Sequence, residues 1–253
     1  MWIFMALVGD WRWISDGPAD GPVNMARDEA ILLSVSEGGA PPTLRFYRWS
    51  PPTVSLGYFQ SYSDYAALPP PAGGLPVVRR LTGGGAILHD LELTYSLVLP
   101  SNHPLLPACG AAGLYDVVHD AFARFLTNLG VSVIKGPSAS GGASHRGPFF
   151  CFDRHNRFDL LTDGRKIMGS AQRRLRTAIL QHGSLILDNR FQQQCCASVA
   201  EYAPVVINTW LPRLVEEITR APAGKPAKLS NGELETAERL VFKYRDEQWT
   251  RRR

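Results

Sequence analysis

Cys151 precedes Lys166 by fifteen positions in a run dense with turn and strand signals, Gly147-Pro-Phe-Phe-Cys-Phe-Asp153 and then Arg157-Phe-Asp-Leu-Leu-Thr-Asp-Gly-Arg-Lys-Ile-Met-Gly-Ser-Ala-Gln172. A thiol is a strong nucleophile only as thiolate, and a neighbouring ammonium favours that form. A lysine in turn gives up its proton more readily when it is desolvated or lies near another cation. Together the two residue types could form a base-activated nucleophile suited to acyl transfer. Spacing alone leaves the plainer reading open, since a cysteine between two phenylalanines also suits a small core position.

Asp163-Gly164 is a two-residue hairpin signal, because both turn positions favour φ > 0. In that register Thr162 faces Arg165, Leu161 faces Lys166 and Leu160 faces Ile167. Strand alternation then puts Phe158, Leu160, Ile167 and Gly169 on one face and Asp159, Leu161, Lys166 and Met168 on the other. Lys166 is thus expected in a partly apolar surround that lowers its pKa, with Asp159 pulling the other way. The bland alternative is a lysine on a solvated strand face.

The elements that would hold this pair follow from pattern. Asn24 reads as the N-cap of a helix over 25–35, with Asp28 and Glu29 near the positive end of its dipole. Thr43–Trp49 and Thr53–Phe59 are strand-like, divided by Pro51-Pro52. Pro69–Gly74 reads as a surface loop. Leu75–Leu81 is a strand that empties into Thr82-Gly83-Gly84-Gly85, and Ala86–His89 and Leu93–Leu99 follow. Leu114, Val117, Val118, Ala121, Phe122, Phe125, Leu126 and Leu129 recur at helical spacing over 113–129, and Gly130 stops that helix. Val131–Ile134 is a short strand. The Gly/Ser/Ala-rich stretch from Lys135 to Pro148 reads as a mobile loop leading to Cys151. Helices are expected near 191–201, 208–220 and 232–244. No repeat or interior linker is evident, so the chain reads as one α/β (α+β) domain with a mixed, largely antiparallel sheet flanked by helices.

Composition narrows the class. The chain has 253 residues, enough for a sizeable core, and its 45% hydrophobic and 20% charged content is that of a soluble globular protein. Cysteines fall at 109, 151, 195 and 196, with no CxxC spacing, a usage that fits a reducing cytoplasm and offers no metal site. Met1–Val8 is apolar but short and lacks a basic leader, so it is not read as a signal peptide. No stretch approaches the roughly 20 apolar residues of a membrane span. The net charge of +4 includes Arg251-Arg252-Arg253 and could attract acidic partners, carrier proteins among them. The charges show no aromatic-basic interleaving of the kind that stacks nucleic-acid bases.

Five blocks occur in order: Asn24–Ala30, Leu44–Gln60, Arg79–Asp90, Gly164–Gln172 and Gln181–Leu187. This series resembles that of the lipoate–protein ligase, biotin ligase and octanoyltransferase superfamily over roughly residues 11–220. Within it the chain is most similar to octanoyltransferases of the Gram-positive type. The Phe-Cys-Phe-Asp context of Cys151 and the run His89-Asp-Leu-Glu-Leu-Thr-Tyr-Ser96 carry that likeness. So does a chain ending near 253, without the further C-terminal domain common in bacterial lipoate ligases.

The resemblance implies a biotin/lipoate protein ligase-type catalytic domain over 11–220, with a C-terminal helical extension over 221–253 packed on the same domain. It implies that Cys151 carries an acyl thioester and that Lys166 assists it. Acyl- and substrate-binding roles are implied for Arg79, Arg80, Thr82, Gly83, Gly84, Gly85, His89, Gly169, Ser170, Gln172, His182 and Gly183. The glycine triplet allows close backbone approach to a ligand; its bland reading is a tight turn. His89 and His182 also read as satisfied structural histidines. No metal or cofactor is expected. The implied reaction takes octanoyl from acyl-carrier protein to a lysine of a lipoyl-accepting protein, the glycine cleavage H protein or a 2-oxoacid dehydrogenase lipoyl domain. Three alternatives stand beside it: an ATP-dependent lipoate–protein ligase, a lipoyl amidotransferase and a non-catalytic acyl- or carrier-binding module.

Overall fold

In a computed structural model, which describes residues 11–106, 110–137 and 148–253, period-two patterning has produced two sheets. The larger contains β1 (Arg12–Ala19), β2 (Thr43–Trp49), β6 (Glu92–Pro100), β7 (Ile134–Lys135), β8 (Leu160–Thr162), β9 (Arg165–Arg174) and β10 (Ala178–Ile186). Its order is β1-β2-β6-β10-β9-β8-β7, parallel only between β1 and β2. The smaller sheet has β3 (Thr53–Leu56) between β4 (Val77–Arg79) and β5 (Ile87–His89). The expected single domain with a mixed, mainly antiparallel sheet is the one observed.

Both faces of the large sheet are covered, which is why β6 and β10 read as nearly continuous apolar runs. Odd-numbered β6 residues Leu93, Tyr95, Leu97 and Leu99 pack against α3 (Gly113–Asn128) and α4 (Ile207–Thr219), where Phe122, Phe125 and Trp210 fill the core. On the opposite face Val98 and Leu180 meet Ile31, Leu32 and Val35 of α1 (Gly21–Ser36). Helix α5 (Asn231–Arg245) lies on α1 and is tied to β1 by the Arg12–Glu233 ion pair. Short helices α2 (Tyr62–Ala66) and α6 (Glu247–Thr250) complete the described elements of this kind.

Several expected boundaries move for local reasons. Helix α1 starts before Asn24: Asp20 is the N-cap and accepts from the Val23 N–H at 2.9 Å, and a proline stands in the first turn. Asn24 is buried and bonds the Ala19 and Arg48 carbonyls and Arg45 instead. The strand expected over 131–134 shrinks to Ile134–Lys135, and the one over 53–59 ends at Leu56.

No α-helix forms over 191–201, which holds only a 3-10 turn, Val199–Glu201. Its glutamines serve the small sheet: the Gln194 amide accepts from the Leu88 N–H and donates to the Leu88 carbonyl. Residues 138–147 of the expected mobile loop lie outside the described residues.

The β8–β9 hairpin turns at Asp163-Gly164 with φ of 48° and 73°, as its sequence demands. Thr162 faces Arg165 and Leu161 faces Lys166, but Leu160 faces Met168, leaving Ile167 as the extra residue of a bulge. The two-face assignment is corrected accordingly. Met168 joins Leu160 and Ile167 in the main core, and Lys166 keeps Asp159.

Helix α3 reaches this hairpin through His119. Its Nδ1 bonds the Phe158 carbonyl and its Nε2 lies 2.6 Å from Ser170 Oγ. The imidazole is fully buried, and burial pushes its pKa down to about 4 from 6.5 against the pull of that carbonyl. A neutral ring donates from Nδ1 and accepts from Ser170, whose oxygen is free to accept from Tyr95 at 2.7 Å.

Unfolding frees His119 to bind a proton that the folded chain refuses between pH 6.5 and about 4. Stability should therefore fall as pH drops through that window, by up to about 3 kcal/mol at its acid end. His119→Gln keeps a donor and an acceptor without the titration. Urea midpoints measured at pH 7, 5.5 and 4.5 should decline less steeply in that variant; equal declines would show that His119 does not set the acid limit.

Candidate active site

The β8–β9 hairpin and the 3-10 turn Cys151–Asp153 bring the two predicted residues into contact. Lys166 Nζ lies 3.5 Å from Cys151 Sγ, 2.8 Å from Asp159 Oδ2, and 3.3 and 3.4 Å from the Cys151 and Arg154 carbonyls. Lys166 and Asp159 are each only 1% exposed, whereas Cys151 is half-buried. The Phe152 ring stands 5.3 Å from the ammonium.

Burial by itself would lower the Lys166 pKa, but the charges of Cys151 and Asp159 outweigh it and hold it above the ordinary lysine value. The expected lowering is thus corrected. The lysine is an ammonium in the resting protein, with its charge 3.5 Å from the sulfur.

Gly169 makes this geometry possible. A Cβ built there would lie 2.4 Å from Lys166 Cε and 2.7 Å from Nζ. Gly183 is equally constrained, by Ser170 Oγ at 2.1 Å and the Gly169 carbonyl at 2.5 Å.

Cys151 opens on a cavity between the α1 face of the large sheet and the small sheet, with about 470 Å³ of atom-free space including its mouth. Of the residues predicted from sequence, Arg80, Gly84, His89, Gly169, Ser170, His182 and Gly183 line it with Cys151. Arg79, Thr82, Gly83, Gly85, Gln172 and Lys166 do not, Lys166 standing behind Cys151.

Arg79 instead spends its guanidinium on the Gly57, Gln60 and Thr250 carbonyls. Gln172 bonds Ala111 and Gln181, and Thr82 holds His182 Nε2 at 2.7 Å. Gly85 backs Cys151: a Cβ there would be 3.0 Å from the Cys151 nitrogen. Ser170 lines the cavity with its hydroxyl committed to His119 and Tyr95.

Arg80 is the cation of the glycine loop. It is buried, with only neutral partners: Thr82, the Ser55 carbonyl and hydroxyl, and the Gly83 and Gly85 carbonyls. Burial pushes its pKa down to about 10, partly offset by Cys151, so it stays charged at neutral pH. The Cys151 N–H donates to the Ala86 carbonyl at 2.7 Å and is not free to meet a ligand. Among the described residues the Gly83, Gly84 and Gly85 N–H groups have no acceptor.

The two predicted histidines are both satisfied and both at the wall. His89 bonds Glu92 and Ser55 at 2.7 Å each and stacks on Trp49 at 3.7 Å between centroids. Burial holds its pKa below the usual histidine range despite Glu92. His182 lies 3.2 Å from Asp28, whose carboxyl burial would raise; His182 and Arg45 hold it below the usual carboxylate range instead. No cluster of metal-ligating side chains occurs among the described residues.

With this geometry in view, residues 20–202 match the model of the lipoyl protein ligase A/B catalytic domain. The chain belongs to that family. It is 35% identical to octanoyltransferase LipM of Kyrpidia tusciae, over 96% of this chain and 99% of that protein. It is 46% identical to octanoyltransferase LipM of Moorella thermoacetica, over 70% of this chain and 65% of that protein's length. Among solved structures, protein Ta0514 from T. acidophilum aligns with a TM-score of 0.79 at 25% identity, over 97% of this chain and all of that one. As a member matched end to end by octanoyltransferases, the chain is an octanoyltransferase, an acyltransferase of lipoate biosynthesis.

What sequence reasoning missed in this family member is the apolar wall: Met25, Tyr47, Trp49, Ile87 and Phe152. Met25, Tyr47 and Trp49 stood inside the motif blocks, but their spacing reads as ordinary core. Only the two-sheet packing sets them around one space.

Gly169→Ala separates reactivity from folding. The atoms in the way are the far end of a flexible side chain, so the fold should survive, with a loss of stability from the loosened buried ion pair, while the ammonium leaves the sulfur. The rate of Cys151 alkylation at neutral pH should fall roughly tenfold as the sulfur loses its neighbouring cation. Iodoacetamide labelling followed by mass spectrometry, beside a urea melt, reads both. An unchanged labelling rate would mean that the lysine does not act on the thiol.

Proposed function

We propose that octanoyl passes from an octanoyl-acyl-carrier protein to a lysine of a lipoyl-accepting protein through a thioester on Cys151. The acceptor would be a glycine cleavage H protein or a 2-oxoacid dehydrogenase lipoyl domain. The observation that carries this reading is the 3.5 Å contact between the Lys166 ammonium and the sulfur at the cavity wall.

The Cys151 thiolate attacks the carrier thioester carbon. The new carbon–sulfur bond replaces the carrier's, and the departing carrier thiolate takes a proton from Lys166. The N–H of Gly84, the glycine of the triplet that lines the cavity, serves the oxyanion, because that of Cys151 is already donated to Ala86.

Acylation removes the negative sulfur, the largest of the influences that raise the Lys166 pKa. The neutral amine left after the first step can therefore wait as a base. It takes the proton of the acceptor amine as that amine forms the amide and expels Cys151 as thiolate, which restores the starting ion pair. Thioester exchange is near thermoneutral and amide formation is downhill, so neither step calls for ATP.

The same reading assigns Asp159 the counter-charge that keeps Lys166 in place while the sulfur is acylated. It keeps 221–253 as an extension of the catalytic domain, and it puts the protein in the cytoplasm, where free thiols persist. No helix among the described residues is long and apolar enough to cross a membrane.

Octanoyl-carrier protein should add one octanoyl mass to the protein in a hydroxylamine-labile adduct, and Cys151→Ser should remove it. Transfer to an acceptor should proceed without ATP and Mg²⁺. Equal loading of the mutant, or activity only from free octanoate or lipoate with ATP, would overturn the thioester reading in favour of a ligase.

Removing the ammonium should slow loading most near neutral pH. Lys166→Ala is therefore expected to be partly rescued in alkaline buffer, and Lys166→Arg to restore loading better than transfer, since guanidinium keeps the charge but accepts no proton. Superimposable pH profiles of Cys151 alkylation in wild type and Lys166→Ala would leave the lysine a binding role only.

A further inference from the structure

The glycine loop of the site has a cationic, aromatic lip that the reaction steps do not use. Beyond β3, Gly57 abuts the loop so closely that a Cβ there would lie 2.0 Å from the Gly84 carbonyl, and Tyr58 N–H donates to the Thr82 carbonyl at 2.8 Å. The next residue, Phe59, is 67% exposed and flanks Gly83.

Residues 249–253 run along this edge, held by backbone as well as side chains. Arg79 donates to the Thr250 carbonyl, Trp249 Nε1 donates to the Arg79 carbonyl, and the Tyr62 N–H donates to the Arg253 carbonyl at 2.7 Å. The arginines are thereby spread over rings. Arg252 stands 4.4 Å from the Tyr58 centroid and 4.8 Å from Trp249, Arg253 stands 5.2 Å from Phe59, and Arg173 of β9 stands 5.6 Å from Tyr58. Stacking on an aromatic face orders a guanidinium while leaving its N–H edge open.

These charges lack partners. Among the described residues no carboxylate lies within ion-pair distance of Arg173, Arg252 or Arg253, whereas Arg251 has Glu247. Like charges gathered without counter-charge repel one another, and an anionic partner relieves that repulsion.

We infer that Arg173, Arg252 and Arg253, with exposed Phe59, form the docking surface for the acidic acyl-carrier protein that delivers the thioester. The inference rests on the acyl-transfer reading of the site. Of the two protein substrates, the donor alone brings a phosphodiester on the arm that carries the reacting group, and the guanidinium fork matches phosphate and carboxylate alike. The acceptor presents a lysine, whose charge this surface would repel.

The test compares loading of Cys151 from octanoyl-carrier protein and from octanoyl-pantetheine, which has neither phosphate nor protein surface. The proteins compared are wild type, Arg252→Ala/Arg253→Ala and Arg252→Glu/Arg253→Glu, by time-resolved intact mass. The paired variants should load from octanoyl-pantetheine at the wild-type rate. From the carrier their second-order rate should fall about tenfold for alanine and further for glutamate at low salt, with the gap closing as salt rises.

Equal slowing with both donors, no slowing with either, or slowing confined to transfer onto the acceptor would overturn the docking assignment. Failure of wild type to load from either donor would instead remove the acyl-transfer reading beneath it.

Discussion

An ammonium that is 1% exposed is the constraint around which this structure is arranged. Taking a charge out of water costs several kcal/mol unless it is paired and hydrogen-bonded, and Lys166 is tolerated only because Asp159, Cys151 and two carbonyls surround it. Each of those partners needs its own support. Asp159 accepts from the Asn156 N–H at 2.9 Å, and its neighbour Phe158 is bonded by His119. The bulge at Ile167 lets β9 present Lys166 to Cys151 and Asp159 while Met168 stays in the core. Absence of a side chain at Gly169 leaves room for the lysine to fold back.

A second set of buried charges lies on the other side of the same cavity and does different work. Arg45 is completely buried, bonded to Asp16, Asp28 and Asn24, and stacked 3.9 Å from Tyr47. Asp28 also takes the Tyr47 hydroxyl and His182. This network locks α1 onto the sheet and fixes the wall rings, so the apolar lining is held by polar groups behind it. Arg80, by contrast, has no carboxylate partner among the described residues. It is stitched to the glycine loop by neutral acceptors and lines the cavity.

The family fold therefore supplies a cavity with a rigid wall, and the chemistry enters at its edges. Among the described residues the glycine loop and the turn at Cys151 are joined by the bridge from Ala86 to Phe150. That bridge holds Cys151 against the loop and uses the N–H of Cys151 to do so. A site assembled from many separate chain segments in this way owes its distances to sheet packing.

Much of this was legible in residues alone, where the signal is local. Asp163-Gly164 specified a hairpin because left-handed φ is cheap there, and period-two and period-3.6 patterns specified β2, β6, α3 and α4. Cys151 and Lys166 could be singled out as a pair because thiol and amine together suit acyl transfer, and the structure brings them to 3.5 Å; the motif series placed the chain in its family. Local rules failed where tertiary partners compete. Asn24 is a good cap in isolation, yet Arg45 and two carbonyls claim it inside the helix. Gln193 and Gln194 suit a helix, yet Gln194 bonds the backbone of the small sheet and Gln193 that of the loop at Pro69–Ala72.

The protonation state of Lys166 was likewise beyond sequence. Burial and ion pairing act in opposite directions, and only the distances to Cys151 and Asp159 decide which prevails. Residue type and spacing thus determined which groups could react and which segments would be strands or helices. Packing of one sheet on another determined that those groups meet, which rings enclose them, and what charge they carry, because contact and desolvation between distant segments exist only after folding.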